Sequence, residues 1–120
     1  MLCCFEALTL CQETPTMRFL LKVNIPNDAG NAAATAGTLG KTIKAILDEQ
    51  KPESVYFTDD RGQRCGYLFI EMADAAQIPA FAEPWFLAFN AQVEFHPVMT
   101  PEDLAKAAPA IERAAERYGK

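Results

Sequence analysis

The sequence predicts a single α+β domain with secondary structure in the order strand, helix, strand, strand, helix, strand, followed by one more helix. Apolar residues alternate along four short segments, as in strands, and recur at helical spacing along three others. The chain has 120 residues, of which 50% are apolar, and this is enough for one hydrophobic core. Elements in this order form a four-stranded antiparallel sheet with helices on one face.

The composition excludes several classes of protein. The 11 basic residues are scattered and are outnumbered by 16 acidic ones, so we expect no binding of nucleic acid, which depends on clustered Lys and Arg. No apolar run approaches the roughly 18–20 residues that span a bilayer, so we expect a soluble protein with no membrane partner.

Residues 1–16 differ from the rest of the chain. They contain no Lys or Arg, and Glu6 interrupts their apolar part, so they do not form a secretory signal. Met17 then opens a segment with strand character. We interpret residues 1–16 as an extension, either an over-called start or a poorly ordered tail, and residues 17–120 as the single domain.

Three of the four cysteines, Cys3, Cys4 and Cys11, fall in that extension. A metal-binding or oxidation-sensitive role for them is the alternative interpretation, but their spacing does not match that of zinc sites. Cys65 is the only cysteine of the predicted domain, which fits the reducing cytoplasm. We therefore expect a cytoplasmic protein.

The first half of the domain contains one strand and one helix. Residues 18–25 form the strand, and residues 27–37, rich in Ala, Asn and Gly without an apolar period, are expected to be a loop or frayed turn. A helix capped by Thr38 follows and ends near Pro52. Its apolar side consists of Leu39, Ile43, Ile46 and Leu47.

The middle of the chain predicts a hairpin and a second helix. Residues 54–58 and 65–72 are rich in β-forming residues, and Gly62 between them suits a tight turn. Asp74 with Gln77 resembles a capping box. We expect the helix that follows to be broken by its two prolines, Pro79 and Pro84, with its main part over residues 80–89.

The last part predicts a fourth strand over residues 92–98 and a terminal helix. Thr100 and Pro101 form a strong helix start, and the helix should kink at Pro109 and stop at Gly119. Its apolar side consists of Leu104, Ala108, Ile111, Ala115 and Tyr118. The complete order is that of a ferredoxin-like βαββαβ domain with an added C-terminal helix.

The strands carry apolar residues on both faces. Leu20 neighbours Leu21, Tyr56 neighbours Phe57, and the third strand has the same character. Two helices can cover only one face, and the other would leave a larger apolar patch than monomers usually expose. We therefore expect a homodimer through the sheet face.

Several stretches resemble a known group of proteins. AEPWFLAF, VEFHPVM and TPEDL, with the element order and the two-faced strands, resemble small bacterial members of the dimeric α+β barrel superfamily, which includes muconolactone isomerase, YCII-like proteins and cofactor-free monooxygenases. The resemblance covers residues 17–120 and is closest to an uncharacterised family. It implies the fold, dimerisation and a cavity between sheet and helices or between two sheets, but it assigns no catalytic residue.

Five strand residues are candidates for a site. Lys22, Asn24, Tyr56 and Glu94 supply a cation, an amide, a phenol and an acid that suit a small polar aromatic or carboxylated ligand. His96 is the only histidine and shares a strand face with Glu94, so it is the candidate for proton transfer. The alternative is that all five line the solvent rim of a dimer.

Other motifs are weaker. Gly40-Lys41-Thr42 lacks the earlier glycine of a P-loop, which leaves Lys41 at a helix start as a weak anion contact or a solvated side chain. Cys65 is interpreted as a core residue in preference to a reactive thiol. Phe81, Trp85, Phe86 and Phe89 form an aromatic stripe that is expected to pack in the core, with a pocket wall as the alternative.

The sequence therefore predicts a homodimer that binds a small organic molecule, with cofactor-free isomerase or monooxygenase-like chemistry at His96. No cofactor is expected, and no metal, because only two suitable ligands share the face of His96. The alternative is a non-catalytic interaction or ligand-binding module.

Overall fold

The computed structural model describes residues 15–119. The predicted extension, apart from its last two residues, and the cysteines Cys3, Cys4 and Cys11 lie outside the described residues. Within the described range, four strands and five α-helices follow one another in the order that the sequence predicts, except that one helix is added after the first strand and the predicted terminal helix is divided into two. The strands are β1 (Met17–Ile25), β2 (Ser54–Asp60), β3 (Gln63–Met72) and β4 (Gln92–Pro97), and the helices are α1 (Asn27–Ala36), α2 (Leu39–Gln50), α3 (Ile78–Phe89), α4 (Pro101–Lys106) and α5 (Ala108–Tyr118).

The four strands form one antiparallel sheet in the order β2-β3-β1-β4. This is the strand order of a ferredoxin-like domain, and the predicted α+β fold is confirmed. Leu21 of β1 lies opposite Leu68 of β3 and Phe95 of β4, which fixes one face of the sheet as the core face. Both Leu21 and Leu68 are fully buried.

The core lies between this face and helices α2 and α3. Its largest side chains are Trp85 and Phe89 of α3, whose rings stack with centroids 6.2 Å apart. Ile46 of α2 is buried on the same side. The expectation that the aromatic stripe packs in the core is confirmed for Trp85 and Phe89, whereas Phe86 is exposed.

The expectation of a loop over residues 27–37 is wrong, because residues Asn27–Ala36 form α1. Five of the ten residues are alanine, the residue with the highest helix propensity, and Gly37 ends the helix in the left-handed conformation. Gly30 is buried in this helix, and a Cβ there would collide with the guanidinium of Arg64, so only glycine fits this close contact. A helix that packs through glycine and alanine carries no large apolar side chains, and this explains the missing period.

The start of α2 differs in one detail from the prediction. Thr38 occupies the N-cap position, but its hydroxyl donates a hydrogen bond to the carbonyl oxygen of Ala33 at 3.3 Å and caps no N–H group of α2. The hydroxyl therefore ties the start of α2 to the end of α1.

The expected break in the second helix is also absent, because α3 runs without interruption over residues Ile78–Phe89. Pro79 lies in the first turn, where a missing N–H breaks no hydrogen bond. Pro84 lies inside the helix and leaves the carbonyl of Ala80 without its usual partner four residues later. The side-chain amide of Gln50 donates to that oxygen at 3.2 Å and so replaces the lost bond. The capping box between Asp74 and Gln77 is present in a short 3₁₀ turn before α3.

The hairpin between β2 and β3 turns through two residues only, Arg61 and Gly62, with φ angles of 56° and 79°. Two successive positive φ values define a type I′ turn, in which glycine is favoured because it has no Cβ. The predicted role of Gly62 is confirmed, and both strands reach further toward the turn than the sequence pattern indicates.

Replacement of Gly62 by alanine is expected to lower the free energy of unfolding by about 1 kcal/mol, because an L-residue is strained at positive φ. Gly40 in α2 is the matched control, since a Cβ there meets nothing within 4 Å and its φ is not positive. Gly40→Ala should raise the stability by about 0.5 kcal/mol. Urea denaturation of both variants checks this, and equal effects would contradict it.

The C-terminal helices α4 and α5 begin at the predicted start, where Thr100 and Asp103 form a capping box. The hydroxyl of Thr100 accepts from the N–H of Asp103, and the carboxylate of Asp103 accepts from the N–H of Thr100, both at 3.1 Å. The helix breaks at Ala107, two residues before the predicted kink at Pro109. The apolar residues of its predicted stripe are largely exposed, with Ile111 at 56% and Tyr118 at 77%.

Candidate functional site

The five residues predicted for a site all lie on the helix-free face of the sheet, the face opposite the core. The strand register shows this directly. Tyr56 of β2 lies opposite Tyr67 of β3, Tyr67 lies opposite Lys22 of β1, and Lys22 lies opposite Glu94 of β4. Since residues paired across strands share a face, these four side chains form one row across the sheet.

The other two predicted residues lie in the adjacent rows of the same face. His96 is paired with Leu20, and Asn24 with Gln92. Lys22, Asn24 and Glu94 line one open depression of about 260 Å³ at the hairpin end of this face. Tyr56 and His96 share the face but lie outside the depression, so the structure brings three of the five residues into one place.

The carboxylate of Asp60 contacts two of the three predicted residues in this depression. Oδ2 of Asp60 accepts a hydrogen bond from Nδ2 of Asn24 at 2.9 Å and lies 3.1 Å from Nζ of Lys22. The hydrogen bond from Asn24 and the one from Lys22 lower the pKa of the Asp60 carboxyl, and the same ion pair raises the pKa of Lys22. Both charges are thereby held in fixed positions at physiological pH.

Asp60 is the residue of this site that the sequence analysis does not identify. The sequence pattern predicts that the strand ends at residue 58, which leaves Asp60 in the connection, whereas β2 continues to Asp60 itself. The alternation through Tyr56 and Thr58 points to Asp60 as the next residue on the same face, and this signal could have found it. Its contact with Lys22 depends on strand order, which no local pattern contains.

The Asp60→Asn substitution is expected to lower the stability of the fold at neutral pH and to have a smaller effect at acidic pH. The pKa of the carboxyl is lowered in the folded state, so ionised Asp60 contributes stability above its unfolded pKa of about 4, and this is lost as the pH falls through the lower folded value. Thermal unfolding of Asp60→Asn and the wild-type protein between acidic and neutral pH measures the difference.

The matched control for that experiment is Asp59→Asn. Asp59 precedes Asp60, is exposed, and points to the other face of the sheet. Both substitutions remove one negative charge, so only the contacts of Asp60 distinguish them. A stability difference between wild type and Asp60→Asn that stays constant across this pH range would show that the carboxylate is not held as described.

The imidazole of His96 contacts the carboxylate of Glu94, which lies two residues earlier on the same strand. Nε2 of His96 lies 2.9 Å from Oε1 of Glu94, and both side chains are about half exposed. When Nε2 carries a proton and donates it to the carboxylate, Nδ1 becomes the free acceptor of the ring. This pair can accept and return a proton at Nδ1.

The rest of the helix-free face combines apolar side chains with a salt bridge. Leu20 and Phe69 lie opposite each other and are half-buried, while Tyr56 is 63% exposed. At the far end, Nε of Arg18 lies 2.8 Å from a carboxylate oxygen of Glu53. This hydrogen bond lowers the pKa of Glu53. The apolar part therefore lies between two charged clusters.

The two weaker candidates from the sequence are Cys65 and Lys41. Cys65 is buried, and this burial raises the pKa of its thiol, as expected for an unreactive cysteine. It is paired with Asn24 and therefore lies on the helix-free face, outside the core cluster between the sheet and the helices. Lys41 lies exposed near the start of α2, as either of its two interpretations requires.

A second cavity, of about 230 Å³, lies on the other side of the sheet and is bordered by none of the five predicted residues.

Comparisons with known proteins agree with the observed domain. The family described as "Domain of unknown function (DUF3303)" matches residues 17–112. No curated protein and no solved structure gives a significant match to the chain. None of the helices within residues 15–119 is both long and apolar enough to cross a membrane.

The matched range begins at Met17, where the strand-forming part of the sequence starts, and includes the whole sheet, α1 to α4 and the first part of α5. The expected membership of an uncharacterised family is confirmed. Since the match extends over most of the 120 residues, the chain belongs to the DUF3303 family.

Proposed function

We propose that the protein is a homodimer whose subunits pair through the helix-free sheet face and enclose a site for a small organic molecule. The arrangement that supports this best is the row of Tyr56, Lys22 and Glu94 beside the apolar pair of Leu20 and Phe69. A second copy would cover the apolar part, and the polar depression would become an enclosed cavity. This corresponds to the dimeric α+β barrel that the sequence resembles.

Each predicted ligand contact has a chemical role in this proposal. Lys22 and Asn24 are fixed by Asp60 and supply a cation and an amide to a polar group of the ligand. Tyr56 supplies an aromatic surface and a hydroxyl group. Enclosure would exclude water, and this strengthens the electrostatic contacts between these groups and a ligand.

The chemistry that fits the pair of His96 and Glu94 is a proton shift within the ligand. Nδ1 of His96 takes a proton from a carbon next to a carbonyl group, Glu94 stabilises the resulting imidazolium, and the same proton is returned to another carbon. This isomerisation balances without any further reactant and without a cofactor. An oxygenase variant of the same chemistry would require dioxygen as a co-substrate.

A dimer test and a turnover test examine this proposal. Light scattering at micromolar concentration should give the mass of a dimer, and a monomer would overturn the proposed enclosure. A β,γ-unsaturated cyclohexenone is a suitable carbon-acid probe, because its conjugated isomer is measured by ultraviolet absorbance. General acid–base catalysis typically contributes about 10²–10⁴-fold, so His96→Ala should lose at least that lower factor in rate.

The control for turnover is Glu49→Ala, which changes an exposed residue of α2 on the opposite side of the sheet. It should isomerise the probe at the wild-type rate. If His96→Ala also retains the wild-type rate, His96 is not the base, and the catalytic part of the proposal fails while the dimer result stands independently.

A second candidate function is a non-catalytic dimer. The observation that favours it is that the charged groups of the face already have partners within the chain: Arg18 with Glu53, Lys22 with Asp60, and Glu94 with His96. A face whose charges are paired in this way can be buried against a second copy without a ligand. A confirmed dimer that neither binds nor converts the probe would favour this candidate.

A further inference from the structure

We propose a second binding site, on the opposite side of the sheet, that takes a small uncharged apolar molecule. The site is the cavity of about 230 Å³ that lies between the core face of the sheet and helices α2 and α3, near the hairpin end. It belongs to a single subunit, so it does not depend on the dimer or on the function proposed for the helix-free face. The class of ligand follows from the chemistry of the walls.

The walls of the cavity are apolar on both sides. Val23 of β1 and Leu68 of β3 lie on the sheet side, and Ile43 of α2 and Trp85 of α3 lie on the helix side. Phe57 of β2 lies where the cavity opens to solvent and is 57% exposed, although its ring is entirely apolar. A ligand in the cavity would cover part of this ring, and removal of apolar surface from water favours binding.

Arg64 is the charged residue of the lining, and its guanidinium is turned to α1. Nη1 of Arg64 donates a hydrogen bond to the side-chain oxygen of Asn31 at 3.1 Å. Gly30 of the same helix lies so close that a Cβ there would collide with the guanidinium. These two contacts hold the charge against α1, so none of the described residues of the lining presents a charge to the cavity.

Two further residues of the lining, Thr58 and Cys65, carry polar side chains that do not face the cavity. Thr58 pairs with Cys65, and Cys65 pairs with Asn24 of the helix-free face. Residues paired across strands share a face, so both side chains point away from the cavity. A buried water molecule needs about 2–4 polar partners, so the cavity holds water poorly. A charged ligand would lose its hydration there without replacement, whereas an apolar one loses nothing of this kind.

The volume of the cavity limits the ligand to about one ring. An engineered apolar cavity of about 150 Å³ in another protein stays dry and accepts benzene. A volume of about 230 Å³ therefore accommodates a benzene ring that carries a methyl group or a short alkyl chain. Toluene is the probe of choice. Benzoate is the charged comparison, since it has nearly the same shape with a carboxylate in place of the methyl group.

The single tryptophan of the chain makes the measurement direct. Trp85 lines the cavity, and no other tryptophan contributes to the fluorescence. Titration with toluene should give a saturable change in fluorescence, and benzoate should bind at least about tenfold more weakly, because burial of an unpaired charge is costly. Equal affinity for the two molecules, or no saturable change up to the solubility limit of toluene, would overturn the proposal.

Two variants of α2 locate the bound molecule. Ile43→Phe places a ring in the cavity and should weaken toluene binding at least about tenfold, because the added atoms occupy the same space. Leu39→Phe is the matched control, since Leu39 lies one turn earlier in α2, packs against the core and does not line the cavity. It should bind toluene like the wild-type protein. Thermal unfolding shows whether each variant is folded, and a folded Ile43→Phe protein with wild-type affinity would overturn the proposed site.

A side chain from a second copy of the chain is the alternative occupant of the cavity. Such an occupant would compete with toluene, so the apparent affinity would fall as the protein concentration rises, and light scattering would show a smaller mass when toluene is present. The proposal instead requires the same affinity at every protein concentration and an unchanged mass. Competition of the kind described would therefore overturn it.

Discussion

A Trp85→Ala variant should lose about 3–5 kcal/mol of folding free energy, because the substitution leaves a large cavity in the core. Trp85 is 1% exposed, stacks on Phe89, and donates from Nε1 to the side-chain oxygen of Gln50 at 3.2 Å. Total stabilities of domains are about 5–15 kcal/mol, so the loss is a large share. Urea denaturation followed by circular dichroism measures it without relying on tryptophan fluorescence.

The adjacent residue provides the control. Phe86 is also a large aromatic residue of α3, but it is 40% exposed. Phe86→Ala should cost only about 1 kcal/mol, since much of its ring already contacts water. If the two alanine variants prove equally stable, Trp85 does not hold the core as the structure indicates.

The Phe69→Glu substitution should convert the proposed dimer into monomers. Phe69 lies near the middle of the helix-free face, opposite Leu20 of β1 and Ser54 of β2. In a face-to-face dimer each copy would bury one such carboxylate, and an unpaired buried charge costs several kcal/mol. The dimer dissociation constant should therefore rise at least a hundredfold, because about 2.7 kcal/mol corresponds to that factor.

Leu87→Glu is the matched control for this experiment. Leu87 is 81% exposed on α3, on the helix side of the molecule, and it receives the same change from apolar to acidic. Analytical ultracentrifugation should show this variant as a dimer and Phe69→Glu as a monomer, while circular dichroism shows both to be folded. A Phe69→Glu dimer of wild-type affinity would exclude this face as the interface.

The fold could be predicted because its local signals agree with each other. The four strands alternate, the two capping boxes mark helix starts, and Gly62 marks the turn. These signals depend on neighbours within a few residues, so they can be recognised without knowledge of the fold. The predicted common face of Glu94 and His96 follows from the same alternation.

The parts that were missed depend on contacts between distant segments. Gln50 replaces a hydrogen bond that Pro84 cannot make, and this allows α3 to continue through the proline. Gly30 makes room for Arg64 and so lets α1 pack without large side chains. Asp60 of β2 contacts Lys22 of β1 across β3, and this contact depends on the strand order β2-β3-β1. In each case the deciding partner is at least thirty residues away in the chain.

The C-terminal helix α5 has a consequence for how the chain unfolds. Most of its residues are exposed and its N-cap, Ala107, makes no side-chain capping bond, so its stability comes mainly from its own backbone hydrogen bonds, with little contribution from the core. Helices of this length are marginal on their own. The amide hydrogens of α5 should therefore exchange with solvent through local fraying, while those of β1 and β3 exchange only when the whole domain opens.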